Sequence, residues 1–502
     1  MRKMVVAFTA LAMIVAACSD DDAAPATVTT VATATTIATT TSLVADTPPP
    51  DDRRPVILDY SPTVSDIGAL AFLASHPDLR LVAVTLPGTG ESHCEPGVAH
   101  TRGMLVELGY AEIPVACGPD DPTTGFNAFP TSWRLASNEM DLPEAAPNED
   151  RSAPELIADL VRQSDTPIEI VAVGPLTNLA VAFAADPELA GLVAGITIMG
   201  GAVDVAGNVF KNEVGEWNIW VDPTAADTVL HSGAPVTLVP LDATNFLPAG
   251  RIFWESLDAQ ASTTAARLVR DVWAANWDWI DNAEGLLYFW DELAAAVLVD
   301  ESLVTFETRN LVVDDETREN KGWTREDPAG VPVRVALTAD RRAFEQLFLD
   351  TLVGGPVELG YLEATPEEIS YFEAVAGIVA EAEAAFGVIF DETAVELGFS
   401  EDSAPDDAFL VVVAAALPAI LAGPWAEQMA ALAALEVPAT LAELHDAYLE
   451  ALQEFAAAES EIAVALESGG FEAFEPFIGP VTEACIALQT SAEVRLVDLN
   501  CF

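Results

Sequence analysis

The chain has 502 residues, of which 80 are acidic and 21 are lysine or arginine, giving a formal net charge of −59. Phosphate repulsion on that scale excludes nucleic acid as a partner, and the charge excess resembles a surface adapted to high salt, where screening relieves self-repulsion. The length is too great for one compact core and predicts more than one domain.

The N-terminus, "MRKMVVAFTALAMIVAAC", carries two basic residues, an apolar run and then small residues before Cys18. This is the pattern of a cleaved export signal over residues 1–18. Its "VAAC" end resembles a bacterial lipobox, which predicts lipidation at Cys18 and a lipid anchor in the cell envelope. The apolar run is too short for a spanning helix, which takes roughly 17–25 apolar residues. From 19 to 54 the chain is Thr, Ala, Asp and Pro without an aromatic residue. Such a segment buries too little apolar surface to offset backbone ordering, so a disordered tether is predicted, its acidic run solvated rather than metal-binding.

Between 55 and 354 short Val/Ile/Leu-rich runs alternate with stretches of helical spacing. The runs are "PVILDY", "LRLVAVTL", "IPVAC", "IEIVAVG", "GITIMGG" and "PVTLVPL"; "APELIADLVRQS" and "LTNLAVAFAADPEL" are two of the helical stretches. The fold class predicted is α/β, a mostly parallel sheet with flanking helices. Ligands in such folds collect at the carboxyl ends of the strands. The polar residues that follow the strands therefore carry weight: Asp59, Ser61, Ser65 and Asp66 after the first, Glu91 and His93 after the second, Thr177 and Asn178 after the fourth. Asn208, Glu216, Asn218 and Asp222 come next, and Asp291 stands in the apolar stretch "LYFWDELAAA".

Some of these have purely structural readings. Asp59 can cap a turn, and Asn178 and Asp222 can each N-cap a helix. Gly88, Thr89 and Gly90 read as a tight turn rather than a phosphate cradle. Asp291 requires a partner or a cation.

With Cys18 assigned to lipid, Cys94, Cys117, Cys485 and Cys501 remain, an even number in a disulfide-permissive compartment. Three connectivities are possible; pairing nearest neighbours joins Cys94 to Cys117 and Cys485 to Cys501, with free buried thiols as the alternative. From 355 to 502 the Ala, Glu and Leu content and helical period predict an all-α C-terminal domain. The uncharged run from Ala408 is broken by Pro418, Gly423 and Pro424 and reads as a buried helical hairpin rather than a membrane span. His445 reads as a surface or packed histidine, not a metal ligand.

In this order, "ILDYSPTVSD", "LVAVTLPGTGE", "IPVACGPDDP", "VGPLTNLA", "IMGGA", "GEWNIWVDPTAA" and "WDELAAA" resemble the inosine/uridine-preferring nucleoside hydrolases. The resemblance covers roughly 54–354 and implies a nucleoside-hydrolase-like sheet. It also implies one bound Ca2+ gripping the ribose hydroxyls and a water, and hydrolysis of the N-glycosidic bond of a nucleoside to base and ribose. It makes Asp66, Asp291 and the Val173 carbonyl metal ligands, with Ser61 at a further ligand position. It makes Glu216, Asn218 and Asn208 sugar contacts, with Ser65 at another. Where the family has its general base this chain has Ser61, where it has a ribose-binding acid it has Ser65, Thr63 replaces a glycine, and Trp290 replaces a histidine before the late aspartate. Serine cannot act as a base at neutral pH. Either Glu91 or Asp59 supplies the catalytic carboxylate, or the protein binds nucleosides or sugars without cleaving them. Trp133 and Arg134 in "FNAFPTSWR" are candidates for a lid or base-stacking segment.

Overall fold

A computed structural model describes residues 53–502 apart from 211, 213, 277–286, 315–320, 398–414, 469–470 and 496–502. Cys18, the export signal, the tether before Arg53 and Cys501 lie outside the described residues. The described chain divides into two compact units, meeting between Leu359 and Gly360.

The first unit is built on a nine-stranded sheet in the order β3-β2-β1-β4-β5-β6-β9-β7-β8. Its strands are β1 (Arg54–Asp59), β2 (Leu79–Leu86), β3 (Val115–Cys117), β4 (Glu169–Ala172), β5 (Gly195–Met199) and β6 (Val236–Val239), followed by β7 (Val304–Asp314), β8 (Trp323–Glu326) and β9 (Val331–Ala339). The first six and β9 pair in parallel, as the short β-branched runs predict. The antiparallel β7, which pairs with both β8 and β9, is an addition the sequence reading did not contain. The alternation of β7, whose inner Leu311 and Val313 are buried between more exposed neighbours, is the period-2 signal that marks it.

Helices cover both faces. Those that matter to the site are α1 (Asp66–Ser75), α2 (Cys94–Glu107), α3 (Thr131–Asn138), α4 (Ala153–Gln163), α5 (Thr177–Ala185), α6 (Trp217–Val221), α7 (Pro223–Leu230) and α8 (Trp290–Val297). Successive residues of β1 serve opposite cores: Val56 and Leu58 face a layer rich in aromatics, Ile57 an aliphatic one. On the first face Phe253, Phe289, Phe344 and Phe348 pack in stacked, tilted and edge-to-face pairs with ring centroids 4.9–5.8 Å apart. Cys94 and Cys117 form a disulfide that ties the start of α2 to the end of β3.

The strand order places the change of direction between β1 and β4. The chain runs outward through β2 and β3, then returns to build β4, β5 and β6 on the other side of β1. At that switch the loops after β1 and β4 diverge and leave a crevice beyond the carboxyl ends. Asp59 and Ala172 are in register there, and the Val173 amide donates to the Asp59 carbonyl at 2.8 Å.

The second unit is helical, with α9 (Pro366–Glu396), α10 (Ala426–Ala433), α11 (Ala442–Ala457), α12 (Glu459–Ser468) and α13 (Phe471–Glu493). Tyr371, Phe372, Trp425, Leu452 and Phe455 are among its core residues. The segment Leu421–Trp425 is a π-helical turn around Pro424, as expected where a proline removes a backbone donor. Among the described residues no helix is long and apolar enough to cross a membrane. His445 is packed in this core, its Nδ1 3.0 Å from the Tyr371 hydroxyl. Cys485 is buried and disulfide-bonded.

Candidate active site

The crevice at the β1/β4 switch collects the loop after β1, the turn after β2, the first turns of α1, α6 and α8, and one face of α3. Asp66 opens α1 and is buried at the start of that helix. The Ser61 amide donates to its Oδ1 at 3.2 Å and the Thr63 hydroxyl to its Oδ2. Thr63 thus clamps Asp66. Asp291 opens α8 from the other side and accepts from the Ser65 hydroxyl. Ser65 therefore orients one acid of the crevice.

These carboxylates are close enough to oppose one another's ionisation. Burial raises Asp66 to about 8, and the Glu91 charge adds to the rise. Burial raises Asp291 well above the ordinary carboxylate range, with Asp66, Glu292 and Glu216 all pushing the same way. Glu292, fully buried next to Asp291, is raised by burial first and then by Asp66, and its Oε2 has no hydrogen-bond partner among the described residues. It fits because Gly68 of α1 has no Cβ: one placed there would lie 2.3 Å from Glu292 Oε1. Sequence reasoning missed Glu292. Its signal was a charged residue adjoining Asp291 ahead of an Ala-rich run.

Glu91 enters from the turn after β2. Its backbone amide donates to Ser61 Oγ at 3.4 Å, and the Ser137 hydroxyl of α3 donates to its Oε1 at 3.2 Å. The approach is close because residue 90 is glycine; a Cβ there would stand 2.8 Å from Ser61 Cβ. The turn itself is closed by the Gly90 amide on the Pro87 carbonyl at 2.9 Å, so this Gly-Thr-Gly stretch is a tight turn. Burial lifts Glu91 to about 7.

Asp59 lies deeper. It accepts from Thr85 Oγ1 at 2.7 Å and from Asn178 Nδ2 at 2.8 Å, and burial raises it to about 7. Asn178 is thus a strut beneath the crevice, within the first turn of α5, and not the cap of its helix. Asp222 does cap α7, accepting from the Ala225 amide at 3.1 Å, and it also gathers Thr123 and Thr177.

On the far wall Glu216 N-caps α6. Asn218 and Ile219 amides donate to it at 2.9 and 3.1 Å, and the Gly201 amide at 3.1 Å. Burial still raises its pKa. Asn218 donates from Nδ2 to the Val173 carbonyl at 3.1 Å, which joins the β4 end to α6. Asn208 Oδ1 receives the Trp217 amide at 3.2 Å. Helix α3 contributes Trp133, 5.1 Å from the Trp217 ring and 5.6 Å from Phe210, which is 64% exposed. Arg134 donates from the same helix to the Gly88 carbonyl at 2.6 Å, so it braces the turn that carries Glu91. Trp290 keeps a buried indole N–H with no partner among the described residues.

Among the described residues no set of three or more His, Cys, Asp or Glu side chains is arranged as a metal cluster. The crevice instead pairs two carboxylates, Asp66 and Asp291, with a backbone carbonyl and hydroxyls. It is acidic and buried, and the leading charge influences on those two carboxylates come from other acids. Like charges brought together out of water are tolerated when they neutralise by protonation or share a cation.

Residues 56–346 match the family model described as inosine-uridine preferring nucleoside hydrolase. A pyrimidine-specific ribonucleoside hydrolase RihA of Klebsiella pneumoniae is 31% identical over 309 residues, 59% of this chain and 98% of that protein. The RihA of Shewanella sp. MR-7 is 36% identical over 196 residues; the chain spans 60% of that relative's length, and the match takes up 38% of this chain. Of solved structures, a purine-preferring ribonucleoside hydrolase from Gardnerella vaginalis aligns with a TM-score of 0.51 and 28% identity, over 60% of this chain and 98% of that one. A plant nucleoside hydrolase aligns at 0.53 and 27%, over 60% and 99%. The chain belongs to the inosine-uridine preferring nucleoside hydrolase family.

Proposed function

We propose that this chain is an exported, lipid-anchored, calcium-dependent ribonucleoside hydrolase in which Glu91 has taken over the role of general base. The observation that carries the reading is the meeting of Glu91 with Ser61. The residue matching the family's base is a hydroxyl that accepts the Glu91 backbone amide, and the Glu91 carboxylate, held by Ser137, lies near enough to Asp66 to raise its pKa.

The donors present fit a hard cation: Asp66 and Asp291 supply charge, and the Val173 carbonyl and Ser61 hydroxyl supply neutral oxygens. When bound, calcium supplies a Lewis-acid centre for the ribose hydroxyls and the attacking water. Glu91, with a pKa near the operating pH, accepts the proton of that water as its oxygen bonds to the anomeric carbon. The C–N bond breaks with its electron pair leaving on the nucleobase. Glu216 and Asn218 orient the sugar, their backbone contacts keeping both side chains rigid. Trp290 offers an N–H that hydrogen-bonds the departing base and cannot protonate it. The Trp133, Phe210 and Trp217 cluster beside Asn218 suits a flat aromatic aglycone.

A second reading keeps the ligand and drops the chemistry. Ser61 and Ser65 at two acid positions are the observation in its favour, and it makes the protein a nucleoside-binding lipoprotein. One assay separates the two: ribose release from inosine and uridine by the full chain at high salt, with calcium and with chelator. Calcium-dependent release that disappears in Glu91→Gln establishes the enzyme. Calcium-dependent binding without release establishes the binding protein, and absence of both overturns the pocket itself.

A further inference from the structure

At the opposite end of the sheet, where β1, β2 and β4 begin, lies a pocket of about 440 Å³. This size is in the range of small-molecule sites, roughly 300–1,000 Å³. Arg53 and Arg80 both line it, and Leu81, Ile113, Leu160 and Ile168 are among its apolar walls. Two guanidinium groups in one pocket are notable in a chain with 21 basic residues against 80 acidic ones. Arg53 donates from one nitrogen to the Leu79 carbonyl at 2.6 Å, which fixes its position at the mouth of β2. Arg80 has no ion pair among the described residues, and its Nε is buried without a hydrogen-bond acceptor. A buried donor left unmade costs free energy that a ligand oxygen recovers. Glu112 also lines the pocket, so the three formal charges sum to one positive.

The alternative is an arginine whose aliphatic stem covers apolar surface while its head reaches water. A buried Nε and a second guanidinium in the same enclosure count against that arrangement. We propose that this pocket binds a small organic oxyanion, its phosphate or carboxylate head held by Arg80 and Arg53 and its apolar body against Leu160 and Ile168. Arginine forks suit such heads because two parallel N–H donors match two oxygens. The acidic crevice at the other end of the sheet repels the same molecules, so the two sites do not compete. The inference is independent of whether the crevice is catalytic.

The test is titration calorimetry of the full chain with phenyl phosphate and, separately, benzoate, at constant ionic strength. One-to-one binding of either probe is expected, weakened at least about tenfold in Arg80→Gln and in Arg53→Gln. Glu112→Gln removes the opposing charge and strengthens it. Binding of one probe alone identifies the head group. Absence of heat with both probes overturns the proposal, and so does equal affinity in wild type and Arg80→Gln. Because Glu112→Gln is expected to gain affinity, its result stands even where an arginine variant fails to fold.

Discussion

In the α/β unit the buried acids Asp66, Asp291 and Glu292 face one another and their pKa values rise; in the helical unit the buried Glu368 has the opposite surroundings. Glu368 accepts from the Thr365 amide at 2.9 Å and the Thr440 hydroxyl at 2.7 Å, and Arg495 stands 3.1 Å away. The Thr365 amide first, then Thr440, hold it down at about 2. Both units bury carboxylates, and the difference is in what meets them. A buried acid supplied with donors and a counter-charge joins parts of a fold, here the start of α9 to the chain just beyond α13. Buried acids whose charged neighbours are other acids cost stability and persist where a ligand compensates them.

The sharpest way to break that contrast is Asp291→Ala. Ribose release is expected to fall at least about 10³-fold in kcat/KM, while the melting temperature without calcium holds or rises, because a source of repulsion has gone. A fall in stability comparable to a core deletion would make Asp291 structural. Next in size is calcium itself. At a hundredfold excess over its dissociation constant it should stabilise the α/β unit by about 2.7 kcal/mol, visible by calorimetry, with no shift in the helical unit and none in Asp291→Ala.

Removing the disulfide with the double substitution Cys94→Ser and Cys117→Ser should cost the α/β unit about 2–4 kcal/mol relative to the unsubstituted chain, read from urea midpoints. In the helical unit Arg495→Gln should cost about 1–3 kcal/mol, because it leaves Glu368 with less compensation. The smallest effect is in pH. A carboxyl held below its ordinary value contributes stability that is complete above about 4.5 and is lost as pH falls toward 2. The melting temperature of the helical unit should therefore decline over that window, and Glu368→Gln should flatten the slope. An unchanged slope in the variant would assign the acid sensitivity to other groups.

Much of the fold was legible because its signals are local. Parallel strands buried on both faces must be apolar throughout, so "PVILDY" and "GITIMGG" announce themselves. The tight turn at Gly88 and the Asp222 cap are likewise written in adjacent residues. The strands β7, β8 and β9 were overlooked because each carries charged residues among its apolar ones. Asn178 was misplaced for a different reason: its choice between capping its own helix and bracing Asp59 depends on a strand 119 residues away.

The sequence by itself determined the family, the order of the strands' polar ends and the acids that could meet beyond them. It also raised the expectation that Ser61 and Ser65 stand where the family has acids. The closeness of the turn after β2 to the loop after β1 depended on the parallel pairing of β1 with β2 and on a glycine at position 90, which let the Glu91 backbone amide meet Ser61. The isolation of Glu292 and the convergence of Arg53 with Arg80 were decided in the same way. Each is a proximity across strands and helices distant in the chain, and no local pattern encodes the free energy of such a meeting.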